Sequence, residues 1–246
     1  MNVEDYIMKR LESEKIHMGL IDPEEQNPEV ALEIALILEE VGSDAIMIGG
    51  STGVEIEEVD KTVELIKEQV SLPVIIFPTN AETITPRADA IYFMSILNSR
   101  DRQKITGEQV KGAPIIRGID LEPISLAYVV VEPGMTVGRV GDCELIPRDR
   151  PGLAISYGLA AQYLGMHFFY LEAGSGAPSP VPSEMVREVK SAIDIPLFIG
   201  GGIRTKEQAL EVGRAGADII VTGTVIEENK DIKQTLEGLI STIKEI

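Results

Sequence analysis

The sequence predicts an α/β protein with a closed (β/α)8 TIM barrel, modified around the third helix. Short apolar runs alternate with amphipathic helical patterns, and parallel strands buried on both faces carry such runs. Two runs resemble each other, VGSDAIMIGG from Val41 and AGADIIVTGT from Ala215, and ADAIYFMSIL from Ala88 begins in the same way. Eight runs in 246 residues suit one barrel domain, residues 1–246. An open doubly wound sheet is the alternative, because periodicity alone does not separate the two.

The predicted elements follow one another along the whole chain. Helical patterns follow the second, sixth, seventh and eighth strands, and PEVALEIALILEEVG (Pro28–Gly42) has helical spacing between a Pro and a Gly. The pattern is weak over Pro78–Pro86, where a regular barrel has its third helix. Asn98–Pro123 and Pro133–Arg150 are irregular, and we expect long loops over the barrel mouth there. The strand candidates are Lys15–Ile21, Asp44–Ile48, Val74–Phe77, Ala90–Met94, Leu126–Val131, His167–Leu171, Leu197–Ile199 and Asp218–Val221.

Charge and composition exclude several classes of function. Lys and Arg number 22 and Asp and Glu number 40, a net charge of −18, which opposes binding to nucleic acid or anionic lipid. The single Cys143 excludes an internal disulfide and fits a reducing compartment. No apolar run approaches the roughly 18 residues of a membrane span, so we expect a cytoplasmic protein. One or two arginines of the irregular loops could meet an anionic group, and the candidates are Arg100, Arg102, Arg139, Arg148 and Arg150.

The first two strand ends carry groups that could hold a metal. A barrel of this kind places its function at the carboxyl ends of the strands. GLIDPEE puts Asp22 there, either as a ligand of Mg²⁺, which prefers oxygen, or as an Asp-Pro turn or helix cap. GGSTGV adds the hydroxyls of Ser51 and Thr52, and taken alone this stretch favours an ordinary helix N-cap.

Glycine turns after the sixth, seventh and eighth strands predict a phosphate site. FIGGGIRT and VTGTVIEE each place a glycine turn before a helix, where free N–H groups and the helix dipole favour phosphate. The loops after strands seven and eight are the usual phosphate site of such barrels. YLEAGSGAP would supply a third wall, with Ser175 as a hydroxyl donor.

Glu172 is the candidate catalytic residue. Strand alternation places it on the same face as Tyr170, at the barrel mouth, where burying a lone carboxylate is costly. The two interpretations are a general base toward a hydroxyl of the phosphate-bearing substrate and a structural salt bridge. His17 and His167 open the first and sixth strands, and we expect structural roles for both.

Five motifs together resemble the geranylgeranylglyceryl phosphate synthase family, which includes bacterial heptaprenylglyceryl phosphate relatives. They are LIDPEE, GGSTG, YLEAGSGAP, FIGGGIRT and TGTVIEE, in order from residue 20 to residue 228. The resemblance implies a prenyltransferase that joins sn-glycerol 1-phosphate to geranylgeranyl diphosphate and releases diphosphate. This reaction forms the first ether of archaeal membrane lipids. It also implies a homo-oligomer, a dimer or a larger ring, with at most transient contact with a membrane surface.

The resemblance assigns roles to individual residues. Asp22 and Ser51 would hold Mg²⁺, and Glu172 would take the proton of the attacking hydroxyl. The glycerol phosphate would be held by Tyr170, Leu171, Glu172, Ala173, Gly174, Ser175, Gly176, Gly201, Gly202, Gly223 and Thr224. Two places depart from the expected pattern, since Glu24-Glu25 stands for Asp-Lys and Thr224 for Asn. The prenyl tail would need an apolar groove, for which we expect Tyr92, Phe93, Met94 and Ile96.

Three other functions remain open at this point. A heptaprenylglyceryl phosphate synthase would use a longer donor. An isomerase or lyase acting on a small sugar phosphate would use the same glycine loops. A non-catalytic sensor of a phosphate metabolite would not need Glu172.

Overall fold

Eight parallel strands close into a barrel in chain order, with the last strand paired to the first. The computed structural model describes residues 1–50, 55–228 and 232–246. The strands are β1 (Ile16–Ile21), β2 (Ala45–Ile48), β3 (Val74–Ile76), β4 (Ala90–Ile96), β5 (Glu122–Val130), β6 (Phe168–Glu172), β7 (Leu197–Gly200) and β8 (Ile219–Thr222). The closed order confirms the barrel and excludes the open sheet.

Helices surround the barrel. They are α1 (Val3–Leu11), α2 (Pro28–Glu40), α3 (Ile56–Gln69), α4 (Glu108–Ile119), α5 (Met135–Val140), α6 (Pro151–Tyr163), α7 (Ser183–Ala192), α8 (Lys206–Ala215), α9 (Thr224–Glu228) and α10 (Ile232–Lys244). No helix among the described residues is both long and apolar enough to cross a membrane.

The region after β3 departs from a regular barrel, as the weak pattern there predicted. Only a single 3₁₀ turn, Ala81–Thr83, lies between β3 and β4. The prediction of loops alone over Asn98–Pro123 was wrong, because a π-helical turn (Gln103–Gly107) and α4 occupy much of that stretch. Gly112, Pro114 and Gly118 interrupt the apolar spacing of α4 and hide the helix from a periodicity argument. The stretch Pro133–Arg150 contains the short α5.

The apolar side chains form two layers, as the strand alternation requires. Residues facing inward fill the barrel, among them Phe168, Tyr170 and Phe198. The ring centroid of Phe198 lies 5.5 Å from that of Phe168 and 5.4 Å from that of Tyr170. Residues facing outward, such as Phe169 and Leu171, pack against the helices. A cavity in the inner layer lies at the carboxyl ends of the strands, which form the barrel mouth.

The opposite end of the barrel is closed by α1. The buried Val3 and Ile7 pack on the inner layer, and the Glu122 carboxylate accepts hydrogen bonds from Val3 N at 2.7 Å and Glu4 N at 2.9 Å. A carboxylate at a helix N-terminus satisfies free N–H groups and complements the helix dipole. The helix α1 therefore covers the end of the barrel opposite the mouth.

Candidate active site

A cavity of about 850 Å³, open to solvent, lies at the barrel mouth. Residues from most strand ends line it, which is where a barrel of this kind is expected to carry its site. The polar and aromatic lining residues are Asp22, Phe77, Thr79, Lys104, Tyr128, Tyr170, Glu172 and Ser175. The structure thus brings Asp22, Tyr170, Glu172, Ser175 and Gly201 into one cavity. Ser51 lies outside the described residues.

Glu172 projects from the end of β6 into this cavity and is only 7% exposed. Its Oε1 accepts a hydrogen bond from Gly174 N at 2.6 Å, and the hydroxyls of Tyr170 and Tyr128 also donate to the carboxylate. Burial nevertheless raises the pKa of Glu172. Burial and the Glu172 charge raise the pKa values of both tyrosines, so both hydroxyls remain protonated donors. No described cation forms an ion pair with Glu172, which leaves the salt-bridge interpretation without support.

The chain beside Glu172 has room only for glycine at two positions, because the side chains of Tyr170 and Glu172 occupy the space of a Cβ. A Cβ on Gly200 would overlap the Tyr170 hydroxyl, and a Cβ on Gly201 would overlap Glu172 Oε1. Gly201 also has φ = +76°, which other residues rarely adopt. The first two glycines of GGG therefore make room for side chains of the neighbouring strand β6.

The three predicted turns meet at one side of the cavity. Thr224 Oγ1 accepts a hydrogen bond from Gly176 N at 2.9 Å and lies 2.9 Å from Ser175 Oγ, which joins the loops after β6 and β8. Arg204 Nη1 donates to Ala177 O at 2.5 Å, which joins the loops after β6 and β7. In the described part of the chain, the amides of Gly201, Gly202 and Gly223 have no hydrogen-bond partner. We call this arrangement the glycine cup, and phosphate binding there remains a prediction.

Two predicted contact residues turn their side chains away from the cup. Leu171 and Ala173 are fully buried in the outer apolar layer, against the helices. They can offer a ligand only their backbone atoms.

Asp22 forms the turn that its motif predicted, and its carboxylate still faces the cavity. Its carbonyl accepts hydrogen bonds from Glu25 N at 3.0 Å and Gln26 N at 2.9 Å, which form the turn. Its carboxylate lies over Gly50 and faces the cavity, where Glu24 N donates to Oδ1 at 3.1 Å. Burial, with the nearby Glu24 and Glu25 charges, raises the pKa of Asp22 to about 6.

This donor set fits a magnesium ion that also binds an anionic ligand. No group of three or more His, Cys, Asp or Glu side chains that could hold a metal occurs among the described residues. Mg²⁺ commonly binds proteins through one or two carboxylates and completes its shell with phosphate oxygens and water. Asp22 suits that mode, because a cation would compensate a carboxylate whose burial now favours the protonated form.

An apolar groove of about 460 Å³ adjoins the cavity, on the side where no α-helix lies between β3 and β4. Its apolar lining includes Ile84 and Ile116, and the four expected residues Tyr92, Phe93, Met94 and Ile96 all contribute to it. Pro78, Thr79, Met94, Ile96 and Lys104 line both the groove and the cavity. The missing helix therefore creates a continuous path from the mouth to an apolar surface.

Sequence reasoning missed three residues of the site. Tyr128 holds Glu172 from β5, Arg204 ties two loops of the cup, and Lys104 lies between cavity and groove. The irregular loops carry five arginines that the sequence offered as contacts for an anionic group, and none of the five lines the cavity. Strand alternation on β5 could have identified Tyr128, since Tyr128 pairs with Tyr170 in the barrel register.

Fold and site together define a (β/α)8-barrel enzyme with an open cavity at the carboxyl ends of the strands. The chain belongs to the PcrB family, whose model matches residues 8–245. This confirms the family predicted from the five motifs.

Relatives at high identity span nearly the whole chain. The geranylgeranylglyceryl phosphate synthase of Pyrococcus horikoshii is 56% identical over 237 residues, covering 96% of this chain and 93% of the relative. The synthase of the same name from Methanosarcina acetivorans is 50% identical over 246 residues, covering 99% of this chain and all of the relative.

Solved structures agree with the fold at two levels of similarity. The (S)-3-O-geranylgeranylglyceryl phosphate synthase of Thermoplasma acidophilum, in complex with its substrate sn-glycerol-1-phosphate, is 45% identical with a TM-score of 0.97, and the match covers both chains fully. An N-acetylmannosamine-6-phosphate 2-epimerase of Clostridium perfringens is 17% identical with a TM-score of 0.58, covering 92% of this chain and 93% of the epimerase. The second match shows the fold alone.

Proposed function

We propose that this protein transfers the geranylgeranyl group of geranylgeranyl diphosphate to the C3 hydroxyl of sn-glycerol 1-phosphate. The observation that carries the proposal is the position of Glu172, a buried carboxylate with the glycine cup on one side and the mouth of the apolar groove on the other. An acceptor phosphate in the cup and a prenyl tail in the groove would meet over this carboxylate. The names and identities of the relatives support the same substrates.

The reaction can be written with this chain's residues. The C3 hydroxyl oxygen bonds to C1 of the prenyl chain, the C1–O bond breaks, and diphosphate leaves with the electron pair. Glu172 accepts the hydroxyl proton, and its raised pKa makes it a stronger base than an exposed glutamate. The Tyr128 and Tyr170 hydroxyls fix the carboxylate, so that its free side faces the acceptor. The loops of the cup hold that acceptor in place, which reduces the entropic cost of bringing the two substrates together.

The apolar groove favours this function over an isomerase or lyase of small sugar phosphates. Such a substrate would fill the cup and leave the groove at Phe93, Met94 and Ile116 without a ligand. A sensor without chemistry would gain nothing from burying Glu172, since burial of a carboxylate costs stability.

The test is product formation with the purified protein. Labelled sn-glycerol 1-phosphate and geranylgeranyl diphosphate are expected to yield the ether, identified by mass spectrometry. Glu172→Gln is expected to fold and to bind glycerol phosphate, and to lose roughly 100-fold or more in turnover because the proton acceptor is removed. Near-normal turnover of this variant would remove Glu172 as the base, and no ether from folded wild-type protein would end the proposal.

Magnesium is part of the proposal. Asp22 would hold the ion, with Ser51 as a further ligand, and the ion would stabilise the charge of the departing diphosphate. Chelation is expected to abolish turnover and added Mg²⁺ to restore it. Asp22→Asn is expected to raise the Mg²⁺ concentration needed for half-maximal rate by roughly tenfold, since a charged ligand is lost. An unchanged requirement would remove Asp22 from the metal site.

The cellular setting is proposed on the same grounds. A lipid donor and a water-soluble acceptor suit a cytoplasmic enzyme that touches the membrane surface transiently, since a net charge of −18 opposes lasting attachment to anionic lipid. Assembly of several copies of the chain is the accompanying expectation.

A further inference from the structure

Lys104 lies at the junction of the cavity and the apolar groove. Among the described residues, Lys104 is the only charged one that lines both. The other charged residues lining the described part of the cavity are Asp22 and Glu172, which are both acids. Any anion that enters from the groove therefore meets one cation.

The turn that carries Lys104 is fixed to β4. Lys104 belongs to the π-helical turn Gln103–Gly107, and such turns are often found at functional sites. Ser95 Oγ donates to Ile105 O at 2.7 Å, and Lys104 N donates to Asp101 O at 3.0 Å. The Gln109 side-chain amide also donates to Met94 O. These bonds hold the backbone of the turn at the end of β4, so the side chain starts from a defined place.

The charge of Lys104 is not neutralised by its neighbours. The acid that it influences, Glu108, forms an ion pair with Lys111 at 2.7 Å and accepts a hydrogen bond from Ala81 N at 2.9 Å. No salt bridge to Lys104 occurs among the described residues. Because the whole chain has a net charge of −18, an unpaired ammonium at this junction is unusual and leaves three donors available.

We propose that the Lys104 ammonium binds the diphosphate of the prenyl donor. The inference rests on the proposed function. With the tail in the groove and the acceptor in the cup, the diphosphate must lie between them, where Lys104 is. As the C1–O bond breaks, the electron pair moves onto the diphosphate, and a nearby ammonium stabilises that growing charge more than it stabilises the bound substrate. Asp22 and Glu172 would otherwise repel the same anion.

The experiment compares Lys104→Met and Lys104→Arg with the matched control Lys111→Met, which removes a cation of the same segment that lines neither cavity nor groove. Inorganic pyrophosphate, the released product, is titrated calorimetrically at saturating Mg²⁺, so that binding is measured without turnover. Steady-state rates are measured with both substrates, and thermal unfolding midpoints verify the fold.

Lys104→Met is expected to weaken pyrophosphate binding and to raise KM for geranylgeranyl diphosphate roughly 10- to 100-fold, which is typical for a lost charged hydrogen bond. KM for glycerol phosphate is expected to stay within about twofold, because the cup lies on the loops after β6, β7 and β8, whereas Lys104 follows β4. Lys104→Arg should retain most of the binding and Lys111→Met all of it. If the wild type turns over normally and folded Lys104→Met binds pyrophosphate as tightly as the wild type does, the inference is overturned. The proposed function is unaffected by that result. Absence of ether from the wild type would overturn both.

Discussion

At the scale of single residues, the site is organised around the burial of Glu172. Three donors favour the ionised carboxylate, namely Gly174 N and the Tyr128 and Tyr170 hydroxyls, while the apolar barrel interior favours the neutral acid. The direction of its pKa, which is raised, shows that burial outweighs the three hydrogen bonds. Burial of this kind requires close packing, and the glycines beside the carboxylate provide the space.

Gly201→Ala tests this account of the glycines. The new methyl group would overlap Glu172 Oε1, and the backbone at φ = +76° would be strained by roughly 1–3 kcal/mol. We expect a lower unfolding free energy and a loss of at least tenfold in turnover, measured by denaturant titration and by product assay.

Gly118→Ala is the matched control, because Gly118 is an exposed residue of α4 with no atom within 4 Å of its missing Cβ. This change should raise stability slightly, by about 0.5–1 kcal/mol, and leave turnover unchanged. Equal effects of the two substitutions would contradict the role given to Gly201.

At the scale of elements, the feature that distinguishes this barrel is the absence of an α-helix between β3 and β4. A regular helix after β3 would cover Phe93 and Ile116, whereas the 3₁₀ turn Ala81–Thr83 leaves them at the groove, beside Ile84. The adjoining α4 contributes Gly112, and because this residue has no side chain the groove stays open on that side. The gap thus leaves an apolar groove open beside the barrel mouth.

Gly112→Leu would fill the groove from α4. A Cβ at this position would lie 3.0 Å from Ile84 Cδ1, and the rest of the leucine would extend into the space expected for the prenyl tail. Displacing two methylene groups of the tail is worth about 1.6 kcal/mol, so KM for geranylgeranyl diphosphate should rise roughly tenfold or more.

The expected KM for glycerol phosphate is unchanged, and pyrophosphate binding should also be unchanged, which separates this effect from that of Lys104→Met. Gly118→Leu, on the exposed face of the same helix, is the control. A normal KM for the prenyl donor in folded Gly112→Leu would show that the tail lies elsewhere.

The sequence was informative where one element carries its own signal. The apolar runs predicted all eight strands, and the weak stretch Pro78–Pro86 predicted the missing helix, because each depends on local spacing alone. The helix α4 was missed because Gly112, Pro114 and Gly118 break its pattern while packing on the barrel compensates. Lys104 and Tyr128 have no motif around them, and their importance appears only when the barrel brings β4, β5 and β6 together.

At the scale of the whole molecule, the two polar centres have different surroundings. The mouth contains Glu172, Asp22 and Lys104 around a cavity open to solvent. A second centre lies between the barrel and its helices, where the fully buried His17 has Nδ1 2.8 Å from Ser43 Oγ and Nε2 2.9 Å from Thr222 Oγ1. The backbone N–H of His17 donates to Asp44, whose carboxylate also pairs with Arg10 and Lys244. This second centre has no opening to the mouth cavity, so we assign it to stability, as expected from the sequence.

His17 makes stability depend on pH in a predictable direction. Burial lowers its pKa from 6.5 to about 3, with the Lys244 charge adding to the decrease and Asp44 opposing it. Between those two values the unfolded chain binds a proton that the folded chain does not, so the free energy of unfolding falls as pH falls from about 6.5 to about 3. The limiting slope is about 1.4 kcal/mol per pH unit. Asp22 and Glu172 act in the opposite sense, because their raised pKa values make the folded chain bind protons more readily.

Guanidinium unfolding of wild type and His17→Gln at pH 7, 6, 5 and 4 isolates this contribution, since the carboxylates at the mouth are common to both chains. At pH 7 the variant should be the less stable, because the glutamine does not reproduce both hydrogen bonds of the ring. As pH falls the difference should shrink by about 1 kcal/mol for each unit below 6. His167→Gln provides the comparison at an exposed site, because the His167 side chain is 55% exposed. Parallel curves for wild type and His17→Gln would show that the buried ring does not set the acid limit of this barrel.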